Sequence, residues 1–246
     1  MWLPRWLGEV YAKLFMCFGV ELFTFDDALK VLNVDRAWLN VVFSKLHAKR
    51  VLCVYERSRP RLYRLLKPES FMAVAAGVLK NLDRVKQERY LQLICDVALD
   101  LIKRFNASSV CVYGSVARGK ARLDSDLDVL VVSSVFKGSL TSRVEELCSV
   151  EDAVADELGF LKKRGVYASL SFYPLREDEV PRFPLVLLDV LEDGVIVYDR
   201  DFFLEKALAK FRERLTRLGA KRVFISEDSW YWDLKPGYVF GEVIEI

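Results

Sequence analysis

The chain falls into two stretches that differ in the period of their apolar positions. Residues 6–19 form an apolar segment suited to a helix. Thr24 followed by Phe25-Asp26-Asp27 is a Ser/Thr-x-x-acid pattern that opens a short helix through Leu32. Asn33-Val34-Asp35 reads as a turn and a new N-cap. The helix after it, about 36–50, sets Trp38, Leu39, Val42, Phe43 and Leu46 on one buried stripe and Arg36, Asn40, Ser44 and His47 on the opposite one. Val51–Tyr55 predicts a strand, Glu56–Pro60 a polar turn and Arg61–Leu65 a return strand. Past Pro68 two largely helical segments follow, 69–86 and 88–105. In the second, Leu91, Ile94, Cys95, Ala98, Leu99 and Ile102 recur at helical spacing.

The pattern then changes to short apolar runs. Ser109–Tyr113 and Val129–Val132 predict buried strands. Val166–Tyr173 alternates: Val166, Ala168, Leu170 and Phe172 share one face, and Tyr167, Ser169, Ser171 and Tyr173 the other. Between and beyond these runs lie predicted helices over 140–160, 184–192 and 201–218, and strands over 195–198 and 221–225. Strands mixed with helices without strict alternation predict an α+β fold with a mixed sheet flanked by helices. The expected organisation is a small unit over 1–67, a helical linker over 68–88, and a larger unit over 89–246 with a C-terminal helical and strand extension.

Composition narrows the class. With 52% hydrophobic and 13% aromatic residues in 246, the chain has ample surface to bury and is not a disordered one. The longest apolar run, Leu14–Val20, stops at Glu21, far short of the roughly 20 residues a membrane-spanning helix needs. Arg5, Glu9 and Lys13 interrupt the N-terminal apolar stretch, so it does not read as a signal peptide. A soluble cytoplasmic protein with no membrane partner is expected. Five cysteines without a CxxC pair are expected to be buried small hydrophobes, not a zinc site or a disulfide framework. The single histidine, His47, excludes hydrolases that hold zinc with several histidines and leaves any Ser-His-Asp or Cys-His arrangement only one base. Residues 1–67 carry 12 Lys/Arg against 6 Asp/Glu, whereas 68–246 carry 25 against 29. A basic front and an acidic rear suggest two modules with different partners.

The chemistry concentrates between residues 109 and 132. The strand Ser109–Tyr113 delivers Gly114-Ser115; Val116-Ala117-Arg118-Gly119-Lys120-Ala121-Arg122 follows, and then Asp124-Ser125-Asp126-Leu127-Asp128 runs into the next strand. Gly114 lets backbone approach a ligand closely, and Ser115 offers a hydroxyl to phosphate oxygens. Asp126 and Asp128, two apart on a strand, point to one face while Leu127 points into the core. Two carboxylates beside a phosphate cradle make a hard-oxygen site for Mg²⁺. A lone D-x-D is more often a solvated turn; the strand, the Gly-Ser, the ten-residue spacing to Asp126 and the second strand together are far more specific.

Those residues resemble the nucleotidyltransferase superfamily that includes DNA polymerase β, in particular its minimal members of archaeal type. The resemblance covers about residues 88–175. It implies that Gly114, Ser115, Arg118 and Ser125 bind a nucleotide, and that Asp126 and Asp128 are catalytic and hold two Mg²⁺ ions. The implied activity moves an NMP from ATP or another NTP onto a hydroxyl acceptor, with release of pyrophosphate. Arg118, Lys120 and Arg122 read equally well as solvated loop cations. Small members of the superfamily are often partnered with HEPN-type proteins, so such a partner is implied by analogy, and a homodimer stays open. Trp230-Tyr231-Trp232-Asp233-Leu234-Lys235-Pro236, then Gly241-Glu242, is similar to tails of archaeal members; the alternating tryptophans suit core packing or base stacking.

The front unit resembles a winged helix-turn-helix. That implies a third helix in the DNA major groove and a hairpin on the backbone, with Arg36, Asn40, Arg57, Arg59 and Arg61 as candidate contacts to duplex DNA. Winged helices also dock proteins, and both readings stand. The rear unit departs from its family at one point. A third carboxylate is expected from the strand 166–173, and none is there; Glu177, Asp178 or Glu179 reach in only if the loop after Pro174 folds back. A competing function follows from the gap: a DNA-binding regulator or antitoxin-like protein whose transferase domain binds nucleotide with little or no turnover. A plain docking scaffold is the third reading.

Overall fold

A computed structural model describes residues 3–226 and 229–237. Gly241 and Glu242 lie outside the described residues. The front of the chain folds as α1 (Arg5–Phe18), β1 (Phe23–Thr24), α2 (Phe25–Leu32), α3 (Arg36–Ala48), β2 (Leu52–Glu56) and β3 (Leu62–Leu65). Local signals set these boundaries. Thr24 and Asp27 close a reciprocal capping box at α2, and Asp35 caps α3 through the backbone N–H of Trp38 at 2.7 Å. The three strands form an antiparallel sheet in the order β1-β3-β2. Leu7, Val10 and Leu14 of α1 meet Leu39, Val42 and Leu46 of α3 and Leu52 and Leu65 of the sheet in one core. Trp38 departs from the expected buried stripe. It stands at the edge of that stripe, 37% exposed, where its indole leans on Trp6 of α1 with ring centroids 5.9 Å apart.

The helix expected over 69–86 is cut short. α4 (Pro68–Ala75) ends before Gly77, whose φ of 71° breaks the helix. The chain then pairs with the larger sheet: Lys80 N–H donates to Val197 O at 2.9 Å and the Asn81 amide to Ile196 O at 2.8 Å.

The rear comprises α5 (Leu91–Phe105), β4 (Ala107–Tyr113), α6 (Gly114–Arg118), β5 (Leu127–Ser133), α7 (Leu140–Leu147), α8 (Ser149–Ala153), α9 (Ala155–Lys162), β6 (Leu170–Leu175), α10 (Val186–Asp193), β7 (Val195–Asp199), α11 (Phe203–Leu218), β8 (Lys221–Ser226) and β9 (Ser229–Asp233). Four strands make a mixed sheet in the order β6-β5-β4-β7, with β5 and β6 parallel and the other pairs antiparallel. The α+β class with helices flanking a mixed sheet is as expected. The helix expected over 140–160 is instead three short ones; the breaks at Cys148 and Val154 let Leu147, Val150 and Val154 all turn into the core under α5. The second strand of the terminal hairpin, β9, was not anticipated by the alternating tryptophans alone. Cys53, Cys95 and Cys111 are buried, and burial pushes their thiols up; Cys17, on the solvent side of the last turn of α1, and Cys148, at the break between α7 and α8, are exposed, against expectation. Among the described residues, no helix is long and apolar enough to cross a membrane.

The two parts are joined by ion pairs. Arg64 of β3, 4% exposed, forms a two-pronged bridge to Glu157 of α9, 1% exposed, at 2.6 and 2.7 Å. Its Nε also donates to Val20 O at 2.8 Å, and its guanidinium lies 3.6 Å from the centre of the Phe160 ring. Glu88 accepts from Arg50 at 2.7 Å, from the backbone N–H of Val54 at 2.7 Å, and bonds His47 Nε2 at 2.8 Å. Lys67 pairs with Asp96 at 2.7 Å, and Arg164 with Glu21 at 2.6 Å. His47 is thus a boundary residue. Arg64→Ala should destabilise the protein by about 3–5 kcal/mol in urea denaturation, because it strands Glu157 in a dry site. The paired replacement Arg64→Met with Glu157→Leu should cost far less.

Candidate functional site

The site forms where β4 ends and β5 begins. The antiparallel register sets Tyr113 opposite Asp128. Beyond Tyr113 the chain must turn at once, and Gly114 does so with φ 70°. A Cβ on Gly114 would lie 2.0 Å from Asp128 Oδ2, so the carboxylate occupies the space a side chain would need. α6 follows for one turn and closes on Gly119, whose N–H returns to the carbonyls of Ser115 and Val116. The half-buried Ser115 side chain projects from that turn.

Asp128 is the second residue of β5, and Asp126 precedes the strand. Each has a serine of the parallel neighbour beside it. Ser169 Oγ donates to Asp126, and Ser171, in register with Asp128, donates to its carboxylate. These serines stand where a third acid was expected. The strand expected over 166–173 starts only at Leu170 and runs to Leu175, but Val166, Ala168, Leu170 and Phe172 still pack against the core as the alternation predicts. Glu177, Asp178 and Glu179 lie past the opposite end of β6. Glu177 accepts from Ser108, Asp178 holds Arg176, and Glu179 holds Arg143.

Burial pushes the Asp128 carboxyl above its usual range; the Ser171 hydrogen bond opposes this, the Asp126 charge adds to it, Arg118 opposes it, and Asp189 adds to it. Asp189 is the acid that sequence reading missed. It sits on α10, which packs against both α6 and β4, and its own carboxyl is raised by burial and held down by Arg118 and Arg222. No strand spacing reveals a residue brought in by a helix some sixty positions downstream.

Arg118 stands half-buried near this face. Its guanidinium is 3.6 Å from Asp193 and 5.0 Å from the centre of the Trp230 ring, so it is a tethered group and not a loose loop cation. Arg222 of β8 holds the same Asp193 at 3.1 Å and stacks on Trp230 at 4.1 Å. Trp232 packs beside α10 and α11, which places the two tryptophans in packing roles. Ser125 serves the turn: its hydroxyl accepts from the N–H of Arg122 at 2.8 Å.

Of the front-unit candidates, Arg36 is drawn aside to Asp26 and lies over the Phe25 ring. Asn40 is exposed on α3. Arg57, Arg59 and Arg61 are exposed at the tip between β2 and β3, with no ion pair among the described residues. The two groups do not converge with the Gly114–Asp128 site.

Among the described residues no group of three or more acid, His or Cys side chains forms a metal cluster. The donor set is nevertheless suited to Mg²⁺, which takes one or two carboxylates and fills the rest of its octahedron with water and phosphate oxygens. Asp126 and Asp128 with the hydroxyls of Ser169 and Ser171 supply hard oxygen only.

Sheet, glycine turn and paired aspartates define a nucleotide-transferring domain. Residues 94–236, more than half of the chain, match the Nucleotidyltransferase domain family, and the chain belongs to it. It is also 28% identical over 120 residues to the "Putative protein adenylyltransferase MJ1305" of Methanocaldococcus jannaschii, spanning 49% of this chain and 76% of that protein. Among solved structures it is similar to a toxin-antitoxin with AMP-PNP, at 14% identity and a TM-score of 0.32 over 50% of this chain and 90% of the other. A mutant of the toxin-antitoxin MntA-HpeT is similar at 14% identity and a TM-score of 0.33, over 52% and 90%. Likenesses this distant carry no argument about function.

Gly114→Ala should be severe. The left-handed backbone costs about 1–2 kcal/mol for any L side chain, and the new methyl must displace Asp128. A fall in nucleotide transfer of about 10²-fold is expected, read against a urea curve that loses no more than the backbone cost.

Proposed function

We propose that the protein transfers an NMP, from ATP first of all, to a hydroxyl, releasing pyrophosphate with the help of Mg²⁺. The observation that carries this reading is the close fit of Gly114 over Asp128, in a chain of the nucleotidyltransferase family. Backbone at Gly114 can approach a triphosphate without steric cost, and Ser115 offers its hydroxyl to a phosphate oxygen. Arg118, already held in place by Asp193, adds positive charge on the same side. Asp126 and Asp128 would hold the metal, and the serines beside them orient each carboxylate. Bound Mg²⁺ neutralises charge on the transferring phosphoryl group and lowers the pKa of an attacking hydroxyl. Asp189 offers a carboxylate from α10, a different direction from the strand that lacks one. The name of the M. jannaschii relative supports a protein hydroxyl as acceptor.

α-Labelled ATP with Mg²⁺ and a soluble extract should put label on protein, and Asp126→Asn or Asp128→Asn should reduce it to background. Equal labelling by parent and variants defeats the assignment.

A second reading concerns the front unit, taken as a winged helix-turn-helix that contacts duplex DNA. The free arginine tip supports it. Of the eight cations from Lys45 to Lys67, Arg50, Arg64 and Lys67 are bound by acids of the rear, whereas Arg57, Arg59 and Arg61 face solvent. Together with the serines in place of an acid on β6, it suits a regulator or antitoxin-like protein of low turnover, with a HEPN-type protein as a candidate partner. Binding to duplex DNA at low salt should weaken when the three arginines become alanine, and the slope of log affinity against log salt should fall by about 3. No binding by the parent protein assigns the tip to a protein partner.

A further inference from the structure

A cavity of about 520 Å³ opens at the far end of the sheet from Gly114. It lies beside Ser108 near the start of β4, and five residues of strand at 3.4 Å each put it roughly 17 Å from Tyr113. The volume suits a small organic molecule.

Three cations border it: Arg200 at the end of β7, and Lys206 and Lys210 on successive turns of α11. None of the three forms a salt bridge among the described residues. Arg200 donates to Asn106 Oδ1 and Ala107 O, and Lys206 to Asp201 O at 2.9 Å. Elsewhere in the same unit Arg104, Arg143, Arg176 and Arg222 are each held by a carboxylate. Two acids share the cavity wall. Glu177 is occupied by Ser108 and faces Arg200, and Asp201 is exposed at the rim. Phe183 and Phe203 supply flat apolar surface.

The backbone gives a separate sign. Phe183, Asp201 and Phe202 all have φ above 50°, at 52°, 53° and 57°. Asparagine tolerates that region and accounts for Asn33, Asn81 and Asn106; phenylalanine does not. Phe183 and Asp201 line the cavity, and Phe202 joins Asp201 to the lining residue Phe203. Such outliers persist where the surroundings enforce them, and they collect at ligand clamps. Here they aim two loops, one before α10 and one before α11, at the same opening.

We propose that this cleft is a second ligand site, for a small molecule with an anionic group on an aromatic body, independent of the nucleotide site. The rings take the flat body, and Lys206, Lys210 and Arg200 take the charge.

The test uses 1-anilinonaphthalene-8-sulfonate as an anionic probe and N-phenyl-1-naphthylamine as its neutral counterpart, by fluorescence titration of the full chain. One sulfonate per chain should bind, at least about tenfold more tightly than the neutral amine. The double variant Lys206→Glu with Lys210→Glu, two exposed positions that leave the core intact, should lose that binding about tenfold or more. Asp126→Asn and saturating ATP with Mg²⁺ should leave it unchanged. No sulfonate binding, equal binding by the charge-reversed variant, or loss of binding in Asp126→Asn or on adding ATP overturns the proposal.

Discussion

The contact between Gly114 and Asp128 is the constraint from which the site follows. β4 and β5 are hydrogen-bonded neighbours, so their side chains at the open end are forced into close company. Any side chain at 114 collides with Oδ2 of Asp128. The absence of one therefore lets a carboxylate stand directly under the turn that ends β4. Asp126, Ser169 and Ser171 gather around the same corner because β6 runs parallel to β5 and places its alternate residues beside both aspartates. The sheet's register, and not a long loop, brings the polar groups together.

Charge separation along the chain has a structural outcome of its own. The basic front and acidic rear meet, and part of their opposite charge is consumed at the seam: Arg64 with Glu157, Arg50 with Glu88, Lys67 with Asp96. A buried pair such as Arg64–Glu157 contributes modestly to net stability, whereas leaving either charge without its partner is costly. The arginine tip at Arg57, Arg59 and Arg61 stays outside this pairing.

Much of this was legible in the sequence, because it depends on local rules. Strand alternation marked Ser169 and Ser171 as one face, the Thr24 capping box fixed α2, and the Gly-Ser to D-x-D spacing marked the site. What was hidden depends on long-range packing. Asp189 comes to act on Asp128 only because α10 lies on α6 and β4. Arg64 and Lys67 look like free cations until acids 93 and 29 positions away are brought beside them. The helix over 69–86 fails because the segment after Gly77 finds backbone partners in β7, which no local periodicity can signal. Ser125 shows a role that motif reading does not predict: its hydroxyl accepts from the Arg122 N–H and so braces the turn before Asp126.

The Arg64–Glu157 bridge also sets a direction. With that pair sealed between Val20 and the Phe160 ring, the front unit is docked on the rear through a dry, fully partnered charge pair. On the proposed function, a partner bound at the arginine tip would be held at a set bearing from the Gly114–Asp128 corner. An acceptor tethered to that same partner would then meet the site at an effective concentration on the order of millimolar, whereas an untethered one would reach it only by free diffusion. Acceptor choice would on that reading be a matter of bearing as much as of chemistry.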